Sequence, residues 1–97
     1  MIEHVVFFAV RPDTPESSVD AMVAALRKLP EAIPEVRSLT IGPTFTDRGR
    51  EFTHGLHVRF ADRDALATYL AHSAHVAAVE EVVKPIAADV VVLDWES

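Results

Sequence analysis

The hydrophobic patterning of this chain predicts an α+β domain in the order β-α-β-β-α-β, and three observations carry that prediction. Phe52 to Phe60 alternates strictly, placing Phe52, His54, Leu56, Val58 and Phe60 on one face, which is the two-residue period of a strand. Val19, Met22, Val23, Leu26 and Leu29 recur at three- and four-residue spacing, the apolar stripe of a helix packed on a sheet. Proline-bearing breaks at Pro12, Pro30, Pro34 and Pro85 separate the runs.

Taken in order, Ile2 to Val10 is rich in β-branched and aromatic residues and ends at Arg11-Pro12-Asp13, which reads as a first strand closed by a turn. Thr14-Pro15-Glu16 then marks a helix start, with Thr14 as N-cap and Pro15 at the first helical position. The helical stripe runs to Leu29. Val36 to Ile41 reads as the second strand, Asp47 to Arg50 as a loop and Phe52 to Phe60 as the third strand. Asp62 caps a second helix carrying Ala65, Leu66, Tyr69 and Leu70, and after His72-Ser73 another helical run groups Val76, Val79 and Val83. Val90 to Trp95 is the fourth strand. No linker, repeat or shift of composition divides residues 1–97, so a single domain with one core is expected. The element order is that of the ferredoxin-like fold, a four-stranded antiparallel sheet with helices on one face.

The formal charge of −6 comes with nine basic residues that form no cluster, which argues against nucleic acid and anionic membrane as partners. Cysteine is absent, so neither a disulfide framework nor thiolate chemistry is expected. No apolar stretch approaches the roughly 20 residues that cross a bilayer. The opening strand carries Glu3 and His4 and lacks the basic region of a signal peptide, so a cytoplasmic location is expected.

The first strand is apolar on both faces, with Ile2, Val6, Phe8 and Val10 on one and Val5, Phe7 and Ala9 on the other, and the last strand is nearly all apolar. Such strands need a cover on both sides. Few residues remain for a second helical layer, so the expected cover is the sheet of a second copy, stacked face to face in a homodimer. The faces of strands two and three that meet this interface carry Ser38, Thr40, His57 and Arg59, so a partly polar interface is expected, with Glu3 and Arg59 placed to pair.

Several runs bear on family: I-E-H-V-V around His4, Thr53-His54-Gly55, the segment from Tyr69 through His72-Ser73-Ala74-His75 to Val76, and the ending Val91 to Trp95. Together they resemble the stress-responsive A/B barrel, or Dabb, domain over nearly the whole chain. The resemblance implies a dimeric α/β barrel with a role in stress response. One group within that family, the olivetolic acid cyclase type of plants, closes a polyketide ring by an intramolecular aldol condensation without a cofactor. By that likeness the working His and Tyr fall on His75 and Tyr69, and two further pocket histidines on His4 and His54. This chain departs from the cyclase pattern at Leu26, where the cyclase has a tyrosine, and at Ser73, where the family's usual run has proline.

Face parity independently puts His4 with Val6 and Phe8, and His54 with Leu56 and Val58, on the helix-facing side of the sheet. Tyr69 and His75 are six apart, which on one continuous helix separates them by about 120°. A break at His72-Ser73 with Ser73 as a new N-cap brings His75 into a first turn, where the helix dipole disfavours imidazolium and keeps the ring neutral. The site expected from these residues has His75 as general base and Tyr69 as hydrogen-bond donor. His4, His54, Phe8, Leu56, Leu26 and His72 are its ligand-contacting residues, with His72 also serving the helix junction.

The ligand expected there is a small apolar or carbonyl-bearing molecule. The H-x-x-H spacing of His72 and His75 has no H-E-x-x-H or cysteine support, so no metal is expected. The glycines are isolated and there is no G-x-S-x-G elbow, so neither a nucleotide cofactor nor a serine nucleophile is expected. The rival readings are a non-catalytic stress-associated binding or structural protein, and a cofactor-free barrel of the monooxygenase type.

Overall fold

The structure, a computed structural model, describes residues 1–97. Four strands, β1 (Ile2–Val10), β2 (Ser38–Pro43), β3 (His54–Phe60) and β4 (Ala87–Glu96), form one antiparallel sheet in the order β2-β3-β1-β4. Four helices join them: α1 (Glu16–Arg27), the single turn α2 (Leu29–Ala32), α3 (Arg63–Ala71) and α4 (Ser73–Ala78). The last runs on into a π-helical turn, Val79–Val83, closed by the Lys84 amide donating to the Val79 carbonyl at 2.9 Å.

The apolar stripes dictate how these layers meet. Register places His4 beside Val58 and Asp94, Val6 beside Leu56 and Val92, and Phe8 beside His54 and Val90, so all of these share the helix-facing side. From α1, Met22 and Leu26 are buried against that side, with Val19 and Val23 packed at the margin. Phe60, Val58, Tyr69 and Ile33 are fully buried and anchor the core. Burying each of these large side chains contributes roughly 1.5–3 kcal/mol, which dominates the stability of so small a fold.

Local chemistry moves several boundaries away from the sequence expectation. Thr14 does not cap α1; Pro15 occupies the N-cap position, and its carbonyl accepts from the Ser18 and Val19 amides. β2 begins at Ser38 because the Val36 amide is still committed to the turn, donating to the Ile33 carbonyl at 3.2 Å. It extends through Pro43, which an edge strand tolerates because the missing amide costs no ladder bond. β3 starts at His54, and Asp62 caps α3 as expected, its Oδ1 accepting from the Ala65 amide at 2.9 Å. β4 is longer than the apolar run, reaching from Ala87 to Glu96.

The opposite side of the sheet is uncovered. Phe7, Val91, Leu93 and Trp95 stand on it with relative exposures of 41%, 38%, 58% and 49%. Among them Glu3 is buried, its carboxylate accepting from Ser97 Oγ at 2.8 Å, His57 Nε2 at 2.8 Å and Arg59 Nε at 3.1 Å. The Ser97 hydroxyl and the His57 ring hold this carboxyl below the ordinary carboxylate range.

A candidate ligand cavity between the sheet and the C-terminal helices

Between the helix-facing side of β1 and β4 and the segment from α3 to the π turn lies a cavity of about 530 Å³, within the size range of small-molecule sites. Its lining is mostly apolar, with Val6, Phe8, Leu26 and Leu56 from the sheet and α1, and Val79 and Val83 from the π turn. The polar groups that reach it from the sheet and α3–α4 are His4, Asp94, Tyr69 and His75.

The break between α3 and α4 creates the central pair. His72 leaves helical geometry, at φ −63° and ψ 137°, and the chain restarts at Ser73. The N-cap is His72 rather than the expected Ser73: its Nδ1 accepts from the Ala74 amide at 3.0 Å. His75 then falls in the first turn of α4, and its ring meets that of Tyr69 at 4.6 Å between centroids.

Each member of the pair has its protonation set by its surroundings. His75 Nδ1 lies 3.1 Å from the Leu70 carbonyl, which only accepts, so Nδ1 carries the hydrogen and Nε2 keeps its lone pair. Burial lowers the imidazole pKa below 6.5, against the opposing pull of the Leu70 carbonyl, and the neighbouring His4 lowers it further. Burial pushes the Tyr69 hydroxyl up to about 12, so it remains a donor at neutral pH. That hydroxyl is buried and has no hydrogen-bond partner, in a fold where almost every such group finds one.

His4 stands beside them, its ring edge-on to Tyr69 at 5.9 Å and to Phe60 at 6.3 Å. Its Nδ1 is bonded to Asp94 Oδ1 at 2.5 Å, which fixes the ring and turns Nε2 away from the carboxylate. Sequence reasoning missed Asp94. The signal was its position in the otherwise apolar run from Val90 to Trp95, but only the β1–β4 register shows that it faces His4.

Tyr69, His75, His4, Phe8, Leu56 and Leu26 therefore all line one cavity, whereas His54 and His72 do not. His54 lies on the helix-facing side as parity requires, but it opposes Phe8, four residues along from Val58, which opposes His4. At roughly 3.3 Å per residue this separation is about 13 Å, too far to converge with the other histidines. It sits instead against α1 near Val19, Val23 and Arg27, with Nδ1 2.8 Å from Thr53 Oγ1, and burial lowers its pKa. His72 is engaged as the cap of α4. Val76, grouped with Val79 and Val83 by spacing, points outward at 47% exposure because Ala74, His75 and Ala78 form the inner face of α4. No three His, Asp or Glu side chains converge in an arrangement suited to a metal ion.

The family model described as the stress responsive A/B barrel domain, Dabb, matches residues 2–97. The chain belongs to that family. Among curated relatives, a stress-response A/B barrel domain-containing protein of Arabidopsis thaliana is 33% identical over 96 residues. That match takes in 98% of this chain but only 36% of the plant protein, so the Dabb domain described here spans little more than a third of that relative. A dimeric ferredoxin-like protein of unknown function from Thermobifida fusca superposes with a TM-score of 0.87 at 25% identity, over 99% of this chain and 90% of the other. The hydroxynitrile lyase of Passiflora edulis superposes with a TM-score of 0.88 at 20% identity, over 97% and 90% of the two chains. The Dabb chain thus has the ferredoxin-like α+β fold expected from its sequence, and no helix in it is long and apolar enough to cross a membrane.

Proposed function

We propose that residues 1–97 form one Dabb domain that pairs through its uncovered sheet side with a second copy and binds a small carbonyl-bearing molecule in the cavity beside Tyr69 and His75. The observation that carries the ligand reading is the buried, unpartnered Tyr69 hydroxyl next to a neutral imidazole with a free Nε2. A hydroxyl kept from water without a partner costs about 1–3 kcal/mol, a cost a ligand oxygen would remove.

The chemistry this pair suits is cofactor-free proton transfer next to a carbonyl. His75 Nε2 takes a proton from the carbon beside the carbonyl, and the Tyr69 O–H donates to the carbonyl oxygen as negative charge develops there. In a cyclisation the enolate carbon bonds to a second carbonyl carbon of the same molecule, and His75 returns its proton to the resulting alkoxide. A lyase runs the same steps in reverse. His4, held by Asp94, orients the ligand from the opposite wall. The likeness to hydroxynitrile lyase extends to the fold, so this assignment rests on the residues of the cavity.

Homodimer formation is supported by the exposed apolar side chains of β1 and β4, since a patch of that kind on a small monomer invites association. The Thermobifida fusca protein of the same fold is described as dimeric. The experiment for the site is a screen of aldehydes, ketones and diketones for turnover by the wild type and His75→Ala. Turnover that vanishes in the variant, with its oligomeric state unchanged, supports the base; equal turnover contradicts it. Binding without turnover in both would favour the non-catalytic reading, and oxygen consumption with a phenolic substrate the monooxygenase-type one.

A further inference from the structure

The cavity is longer than the Tyr69–His75 pair requires. Its floor follows β1 from His4 to Phe8 and, across the ladder, β4 from Asp94 to Val90, about 13 Å of strand. Its roof follows the chain from His75 through Val79 and Val83 to Lys84, also about 13 Å at the rise of a helix. The π turn widens the helix just there, so that Val79, Val83 and Lys84 all reach the lining; turns of this kind recur at functional sites. Lys84 lies at the end remote from His75, because the chain enters β4 three residues later, where Ala87 pairs with Val10.

The two ends differ in charge. Asp94 stands at the Tyr69–His75 end, and Lys84 at the other. The Lys84 ammonium donates to Glu80 Oε1 at 2.6 Å, but both side chains are more than half exposed, and exposed pairs at this spacing are weak. The Arg11 guanidinium adds positive charge outside the same lip, donating to the Pro85 carbonyl at 3.3 Å.

We propose that the cavity takes an elongated keto-carboxylate, with its carbonyl at Tyr69 and His75, an apolar middle over Val6, Val79 and Val83, and its carboxylate on Lys84. Asp94 disfavours the reverse orientation by like-charge repulsion, so the charges at the two ends fix the direction of binding. Glu80 gives up the ammonium to the ligand at little cost because water solvates it freely. The assignment rests on the proposed carbonyl site and adds the second end of its ligand.

The test uses an aryl ketone carrying a terminal carboxylate on a chain of six methylenes, together with the primary amide of the same acid, titrated calorimetrically into the full chain at low salt. Wild type is expected to bind the acid roughly two- to fivefold more tightly than the amide, the scale of one exposed charge pair. Lys84→Met should remove that preference, and Glu80→Gln should enlarge it. Equal binding of acid and amide by wild type, or a preference that survives in Lys84→Met, overturns the carboxylate assignment and leaves the carbonyl site standing. Failure of both compounds to bind overturns the carbonyl site itself, and this assignment with it.

Discussion

Tyr69 and His75 lie six residues apart, and their rings meet at 4.6 Å because the helix breaks between them at His72. On a continuous helix the two would diverge by about 120°. The break converts a sequence separation that forbids contact into two rings in tilted contact, at 48° between planes, at the wall of a cavity.

That pairing sets activity against stability at Tyr69. Tyr69→Phe removes a buried hydroxyl without a partner and keeps the ring, so it should raise stability by about 1 kcal/mol, a few degrees in Tm. The same change should lower turnover of a carbonyl substrate by roughly 10²–10³-fold, the scale of one oxyanion donor. Thermal melts and kinetics on one preparation read both.

His72→Ala tests the break itself. Loss of the bond from the Ala74 amide to His72 Nδ1 should cost about 0.5–2 kcal/mol, as for other N-caps, and should loosen the contact between the Tyr69 and His75 rings. Urea unfolding gives the first quantity, and ring-current shifts of the His75 protons in NMR report the second.

Activity should respond to acid through His75. Its pKa is lowered from 6.5 by burial, so the neutral ring predominates at pH 7 and kcat/KM should change little as the pH rises above it. Activity should fall only as the pH drops through a value below 6.5, and Tyr69, raised to about 12, should impose no loss on the alkaline side below pH 10. A profile of kcat/KM against pH checks this.

Folding stability should move in the same direction. His75 and His54 both bind a proton less readily when folded than the unfolded imidazole near 6.5, so the folded state is favoured above that value and loses stability as the pH falls below it. Glu3, lowered from 4.5 by Ser97 and His57, adds a second loss as the pH falls below 4.5. Urea midpoints between pH 8 and 3.5 should therefore decline in two stages.

Phe7→Asp should separate the proposed dimer. Phe7 is 41% exposed on the uncovered side of the sheet, lying over Gly55 and paired with Val91, where a buried carboxylate would lose its hydration among apolar side chains. Light scattering should give a monomer for the variant and a dimer for the wild type, with Phe7→Tyr retaining the dimer.

Much of the fold was legible in the sequence because the governing signals are periodic and local: strict alternation in β3, the α1 stripe, the Asp62 cap, and the weak helical continuity at His72-Ser73. The cavity was only half legible. Face parity assigned His4 and His54 correctly to one side of the sheet, but parity carries no information about position along it. The β1–β3 register separates them. The Asp94–His4 bond joins residues 90 apart through a strand pairing that no local pattern encodes. The π turn that brings Lys84 to the lip also leaves no mark in the three- and four-residue spacing of Val76, Val79 and Val83.

A carbonyl site formed by Tyr69 and His75 is tested most directly by a crystallographic soak of aldehydes and ketones into the wild-type protein. Ligand density is expected in the cavity, with the carbonyl oxygen roughly 2.7–3.1 Å from the Tyr69 hydroxyl and the adjacent carbon facing His75 Nε2. A cavity closed by its own side chains, or ligands confined to other surfaces while the Tyr69 hydroxyl remains unpartnered, would contradict it.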